Sequence, residues 1–393
     1  PPGPRPRKRR ARGYGRSRMR PTARHSHAYA HCPHCHTALR GGTVKRTREV
    51  IEWVPARVTV TAHRYLERRG PGCRGRWRPG PEREGVVVGQ RRWGSGLLRL
   101  LATLREEVRL PIRGIPWYLA AVHGRALSVG AIVEARRTVA ARAEAAVTGI
   151  REGIRARPVL PVEETGWRQD GRHGYAWTVA TPTARLFVHG GRDRAVLEGA
   201  IGEDYAGVLV SDFSAVSTGY AGRHPYCWAH LLRDVDDLVG QHPADGTGRG
   251  GADAVHALSQ RATAQRATAT AAAPDPNPAV RRRQRQAFEA ELQTLAAPFL
   301  GVADAPQRVL CERISKHLAE LFVFVADPTV PSTNNAAERS LRHRVTTRKI
   351  SGGTRSPAGT ATKMTLATLF GTWRLQGLDP LEECRALLAA PQL

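Results

Sequence analysis

Val159-Leu160-Pro161-Val162-Glu163-Glu164-Thr165-Gly166-Trp167 reads as an apolar strand that runs into two acids and then a turn. The segments after it extend the pattern. Residues 174–179 (GYAWTV) and 184–188 (ARLFV) are rich in aromatic and β-branched types and flank a turn at Pro182. Residues 192–201 read as a helix, and Gly207-Val208-Leu209-Val210-Ser211-Asp212 is a short apolar run closed by an acid. Only Ser211 separates Asp212 from the apolar residues, which predicts an acid at the end of a buried strand; the plainer alternative is an Asp opening an ordinary turn.

Strand–strand–strand–helix–strand is the opening order of an RNase H-like core, whose central strands present carboxylates at neighbouring ends. The predicted class is therefore α/β. Moving outward, Tyr226-Cys227-Trp228-Ala229-His230-Leu231-Leu232-Arg233-Asp234 reads as a helix packed through Trp228, Leu231 and Leu232, with His230 and Arg233 three apart on one face. Residues 240–306 are rich in Ala, Gln and Arg and read as a helical insertion, with loops at 246–251 and 274–278. The basic stretch 280–292 is either a backbone-tracking helix or a solvated face. A further helix is predicted over 308–325, and Pro328 and Pro331 punctuate the chain before the next block.

That block is Ser332-Thr333-Asn334-Asn335-Ala336-Ala337-Glu338-Arg339-Ser340-Leu341-Arg342. Capping residue types precede a helix, and Thr333 or Asn334 is expected to accept backbone N–H bonds from its first turn. Glu338 and Arg342 then share a face four residues apart. Arg348, Lys349 and Gly352-Gly353 follow, leading into an amphipathic helix that runs through Leu375.

Toward the start, residues 1–30 form a basic arm with almost no apolar residues, carrying Arg5, Arg7, Lys8, Arg9 and Arg10. Such a segment buries no core and is expected to be disordered alone; it is a phosphate-binding arm or a solubilising tail. Residues 31–80 resemble a zinc ribbon. Cys32-Pro33-His34-Cys35 has the spacing of a metal knuckle, and Cys73 stands where a second knuckle would lie, with Gly70 at its missing Cys. His34, His36 or His63 is the candidate fourth Zn2+ ligand; the alternative is a metal-free loop. Residues 50–61 between the knuckles read as β-rich. Residues 81–155 are helical: Leu97, Leu101, Leu104 and Val108 recur at helix spacing up to Pro111, residues 115–122 form a short second helix, and Ser128 caps a long one over 129–154. Two helices about a Gly124 turn suit a helix-turn-helix DNA reader, or simple helical packing. The catalytic domain occupies 156–393, with its helical insertion at about 240–325.

Composition narrows the partner. The 393 residues hold 61 Lys and Arg against 34 Asp and Glu, a formal charge of +27. That excess points to a polyanion, and nucleic acid is the first candidate. No apolar run is long enough for a membrane span, and the basic N-terminus lacks the apolar stretch of a signal peptide. Six cysteines are too sparse for a disulfide scaffold. The expectation is a cytoplasmic, nucleoid-associated protein. The chain opens on Pro rather than Met, which suggests a start further upstream.

A helix-borne Glu meeting strand-borne carboxylates is how several phosphoryl transferases build a two-metal site. The candidate ligands are Glu163 (with Glu164 adjacent), Asp212 and Glu338, hard oxygen donors suited to Mg2+ or Mn2+. Arg168, His230, Arg233, Arg339, Arg342, Arg348 and Lys349 are the candidate contacts to DNA near them.

Residues 159–378 resemble the DDE transposases of the insertion-sequence-66 family. Glu163-Glu164-Thr165-Gly166-Trp167-Arg168 is similar to that family's D-E-T-G-[WY]-R, and Val210-Ser211-Asp212-Phe213 to its second-acid strand. Cys227-Trp228-Ala229-His230-Leu231-Leu232-Arg233 resembles its C-W-A-H-x-x-R helix. Asn334-Asn335-Ala336-Ala337-Glu338-Arg339, with Arg348-Lys349-Ile350-Ser351-Gly352-Gly353 after it, resembles its N-N-x-A-E-R block and sequel. The resemblance implies an RNase H-like fold, Mg2+-dependent cutting and joining of double-stranded DNA at element ends and target, and a homo-oligomer assembled on DNA, with accessory element-encoded proteins as further partners. The first acid departs from the pattern: Glu163 stands where the family has Asp, one methylene longer. Within this fold the alternatives are a DNA-binding relic with impaired catalysis and a nuclease that hydrolyses without joining.

Overall fold

The computed structural model describes residues 29–31, 33–38, 40, 67–69, 76–77, 93–212, 220, 222–242, 246–271 and 277–390. The chain divides into two compact units, Pro1–Arg57 and Val58–Leu393. In the first, an antiparallel bridge joins His31 to Ala38 around the turn that carries Cys35. Cys32, Cys73, the 50–61 stretch and the basic arm with Arg5, Arg7, Lys8, Arg9 and Arg10 lie outside the described residues.

The second unit is mixed α/β. Two-residue strands β1 (Arg68–Arg69) and β2 (Arg76–Trp77) pair antiparallel. Four helices follow: α1 (Ser95–Glu106), α2 (Ile115–His123), α3 (Val129–Arg142) and α4 (Glu144–Arg155). Helix α1 stops at Glu106, short of the predicted period, because Arg109 adopts φ 63°; the turn leaves Val108 exposed. Gly124 closes α2 at φ 66°, a left-handed conformation that costs glycine nothing. Ser128 caps α3 as expected, its Oγ accepting from the Ala131 N–H at 3.2 Å. The single long helix predicted after it is instead two. The break at Ala143 lets α3 pack against α1 and the helix over 357–375 while α4 sends Ile154 into the core under the sheet.

The sheet has the order β5-β4-β3-β6, built from β3 (Val159–Gly166), β4 (Tyr175–Ala180), β5 (Arg185–Gly190) and β6 (Val208–Val210). The first three are antiparallel, and β6 joins β3 in parallel with Val159 opposite Val208. Between β5 and β6 runs α5 (Arg194–Ile201), capped by Asp193, whose Oδ1 accepts from Val196 N–H. Leu160, Val162, Trp177, Val179 and Leu186 face α4 and α5, while Trp167, Ala176 and Phe187 face Leu341 of α12 (Asn335–Ser351) and Met364 of α13 (Pro357–Leu375). The sheet is thus covered on both sides.

Beyond β6, residues 222–227 run alongside it, Leu209 N–H donating to Arg223 O and Cys227 N–H to Ser211 O, both at 3.0 Å. They deliver the chain into α6 (Trp228–Gln241). The insertion then forms α7 (Gly246–Ala271), α8 (Pro278–Ala296), α9 (Arg308–Lys316), α10 (Leu318–Leu321) and α11 (Val323–Ala326) around a core shared with α6 and with Val208 and Val210 of β6. Two expectations change here. Residues 246–251 open α7 rather than a loop, because burial of Val255, Leu258 and Ala262 further along the helix outweighs glycine's low propensity. The helix predicted over 308–325 breaks at His317 and Phe322 so that Leu321, Phe322 and Phe324 all reach the core. Helix α14 (Pro380–Ala389) closes the chain against the α1–α3 bundle. No described helix is long and apolar enough to cross a membrane.

Candidate active site

The pleat of β3 decides which of its two acids faces which layer. Side chains alternate across a strand, so Glu163 shares the α12 face with Pro161 and Thr165, and Glu164 shares the α5 face with Leu160 and Val162. Glu164 is paired there with Arg192 at 2.8 Å. On the other face, Glu163 Oε2 accepts a 2.8 Å bond from Asn334 Nδ2, which also donates to Val162 O at 2.7 Å.

Asn334 therefore does not cap α12 with its side chain. Fully buried, it ties three elements together: its amide to β3, and its backbone N–H to Cys227 Sγ at 3.0 Å at the start of α6. The strut fixes the first turn of α12, where Glu338 projects. Glu338 also forms no ion pair with Arg342; its Oε1 lies 3.6 Å from His230 Nδ1 on α6. The tertiary neighbour wins over the helix neighbour, since Arg342 is free to extend into solvent.

Asp212 lies just past the end of β6, with only Ser211 between them. Ser211 Oγ donates to Asp212 O at 2.8 Å and lies 2.7 Å from His224 Nε2, so the backbone at the acid is held. Burial lowers His224 to about 4, keeping it neutral in that role.

The acids feel one another. Burial first, and then the charges of Asp212, Glu164 and Glu338, push the Glu163 carboxyl up to about 8 despite the Asn334 bond. Burial and Asp212 push Glu164 up as well, against the pull of Arg192. The charges that act on Glu163 come from Asp212 just beyond β6, from Glu164 beside it on β3 and from Glu338 on α12. Their oxygens are hard donors, and Glu338 Oε1 and Asn334 Oδ1 are buried without a hydrogen-bond partner. Carboxylate oxygens are the donors that a hard divalent cation takes, and such an ion beside Glu163 would relieve the repulsion that raises it.

Of the candidate DNA contacts, Arg168, Arg233, Arg339, Arg342 and Lys349 are exposed. Arg348 is half-buried and turned onto the end of β3, donating to Thr165 Oγ1 at 3.1 Å and to Gly166 O. The loop after α12 locks to the turn after β3 through Thr354 N–H to Arg168 O at 2.9 Å and Asp170 N–H to Thr354 O at 2.8 Å. Only glycine fits at 353, since a Cβ there would stand 1.8 Å from Arg168 O.

Sequence reasoning missed the support beneath the site. Glu106, at the end of α1, is fully buried and holds Arg136 at 2.8 Å, Arg344 at 2.9 Å and Lys363 at 2.7 Å. Burial alone would raise its carboxyl, but Lys363, Arg344 and Arg136 hold it well below the usual range. The cluster joins α1, α3, α12 and α13, fixing the helix that carries Glu338. Nothing in the local pattern of α1 distinguishes Glu106 from a surface acid, because its partners lie far away in the chain.

Comparison with known proteins bears on these residues. Residues 90–362 match the model described as Transposase IS66 family, a span that includes Glu163, Asp212 and Glu338. Uncharacterized protein y4jO of Sinorhizobium fredii (strain NBRC 101917 / NGR234) is 32% identical over 173 residues, covering 44% of this chain and 49% of that protein. The alignment spans about half the length of that relative.

Proposed function

The chain belongs to the IS66 family of transposases, and we propose that it cuts double-stranded DNA at the ends of an insertion element and joins those ends to a target. One observation supports this above the others: the Glu163 carboxyl on β3 is pushed up by burial and by the charges of Asp212, at the end of the parallel strand β6, of Glu164 and of Glu338 on α12. The sheet order, with helices on both faces, supports an RNase H-like catalytic domain over 156–393 with its insertion at about 240–325.

Glu163, Asp212 and Glu338 would hold Mg2+ or Mn2+. Bound there, the ions would activate the attacking oxygen and stabilise the leaving one in an in-line displacement. The protein's own part is positional. Asn334 holds Glu163 toward α12, Arg348 braces the end of β3, and the Glu106 cluster anchors α12. Arg168, Arg233, Arg339, Arg342 and Lys349 present positive charge for DNA phosphates. The basic arm adds salt-sensitive affinity, and residues 81–155 contact the element end. Assembly is as a homo-oligomer on DNA, with accessory element-encoded proteins as further partners.

A strand-transfer assay on element-end duplexes tests the reading. Joined product must appear with Mg2+ and vanish in Asp212→Asn. Hydrolysed ends without joining would identify a nuclease instead. Salt-sensitive binding without either product, unrestored by Glu163→Asp, would identify a DNA-binding relic.

A further inference from the structure

Beside the carboxylates lies a second donor set of different chemistry. One atom each from Cys227, His230 and Glu338 lies within 4.8 Å of the other two. Cys227 and His230 stand in a C-x-x-H spacing at the start of α6. Cys227 Sγ accepts the Asn334 N–H at 3.0 Å. His230 Nδ1 and Glu338 Oε1 are both buried, lie 3.6 Å apart and have no hydrogen-bond partner. That gap is too long for a direct hydrogen bond and leaves two lone-pair-bearing atoms aimed at one space. The His230 and Glu338 side chains are 22% and 24% exposed, so an ion can enter from solvent.

We propose that Cys227, His230 and Glu338 form a binding site for a thiophilic divalent cation such as Zn2+ or Cd2+, and that filling it withdraws Glu338 from the carboxylate set. A thiol, an imidazole and one carboxylate, with a fourth position open to water, are the donors a zinc-class ion selects and Mg2+ does not. Glu338 is the shared residue: it serves the Cys–His pair or Glu163 and Asp212. The second half of the proposal rests on the three-carboxylate reading given above; the first half does not.

The test uses the full chain, with Cd2+ as probe and sulfur-to-cadmium charge-transfer absorption as readout. Cys227→Ser is expected to bind one equivalent fewer than the unsubstituted protein, and Cys384→Ser the same number. Glu338→Gln, at a partly exposed position that tolerates an isostere, is expected to weaken that equivalent at least about tenfold. Unchanged stoichiometry in Cys227→Ser, or unchanged affinity in Glu338→Gln with native circular dichroism, overturns the site. Excess Mg2+ is expected to weaken Cd2+ binding to this equivalent; indifference to Mg2+ overturns the sharing of Glu338. Neither measurement needs DNA, so failure of the transposase reading appears separately, as absent strand transfer in protein that still binds Cd2+.

Discussion

Replacing Glu163 by Gln in metal-free protein is predicted to stabilise the fold at neutral pH. The Glu163 carboxyl is raised from 4.5 to about 8 by burial and by Asp212, Glu164 and Glu338. A raised acid contributes nothing below its unfolded value, where both states are protonated. Its cost grows as pH climbs from about 4.5 toward about 8, because the unfolded chain ionises first, and it levels off above that. At pH 7 the cost is about 3 kcal/mol, from 1.36 kcal/mol per unit. Glu163→Gln removes the charge yet keeps an oxygen for Asn334 Nδ2. Thermal unfolding in chelator should therefore show the variant melting about 4 °C higher at pH 7, a shift scaled to the size of the second unit. The two proteins should coincide near pH 4. Added Mg2+ should raise the melting temperature of the unsubstituted protein and leave the variant near its metal-free value. A variant equally or less stable at pH 7 in chelator would refute the placement of Glu163 among the other acids.

Further outcomes follow from the same geometry. Glu106→Gln strands Arg136, Arg344 and Lys363 with no buried counter-charge and should cost about 3–5 kcal/mol in urea unfolding. Glu338→Gln should lower strand-transfer rate at least about a hundredfold, since a lost cation ligand removes several kcal/mol from the reaction's stabilisation, while leaving circular dichroism unchanged. Substituting the exposed Arg339, Arg342 and Lys349 by Ala should weaken DNA binding uniformly across sequences, and flatten the salt dependence of log K by about one per charge. Gly353→Ala forces apart the Arg168 carbonyl and the loop after α12, and should show as faster limited proteolysis between α12 and α13.

Much of this arrangement is legible in the chain because its signals are local. The 159–167 and 207–212 runs announce strands that end in acids, and the observed β3 and β6 lie inside them. Helices α2 and α13 follow their apolar period, and α1 follows its own as far as Glu106. The misreadings occur where tertiary contact overrides local preference. Asn334 has the chemistry of a helix cap but spends its amide on β3. The glycines at 246–251 enter a helix because burial elsewhere in α7 draws them in. Glu338 and Arg342 have ion-pair spacing, yet His230 from another helix lies nearer the acid.

The sequence by itself determined the α/β class and the order of the strands around α5, since hydrophobic period and residue type act over a few neighbours. Three things were left to the tertiary structure. The pleat of β3 turned Glu163, and not Glu164, toward α12. The packing of α6 against α12 set Cys227 and His230 beside Glu338. The burial of Glu106 gathered three cations under the site. Each depends on side chains that meet across 30 to 257 positions of chain, a distance over which no local pattern carries information and only the packed core brings the groups together.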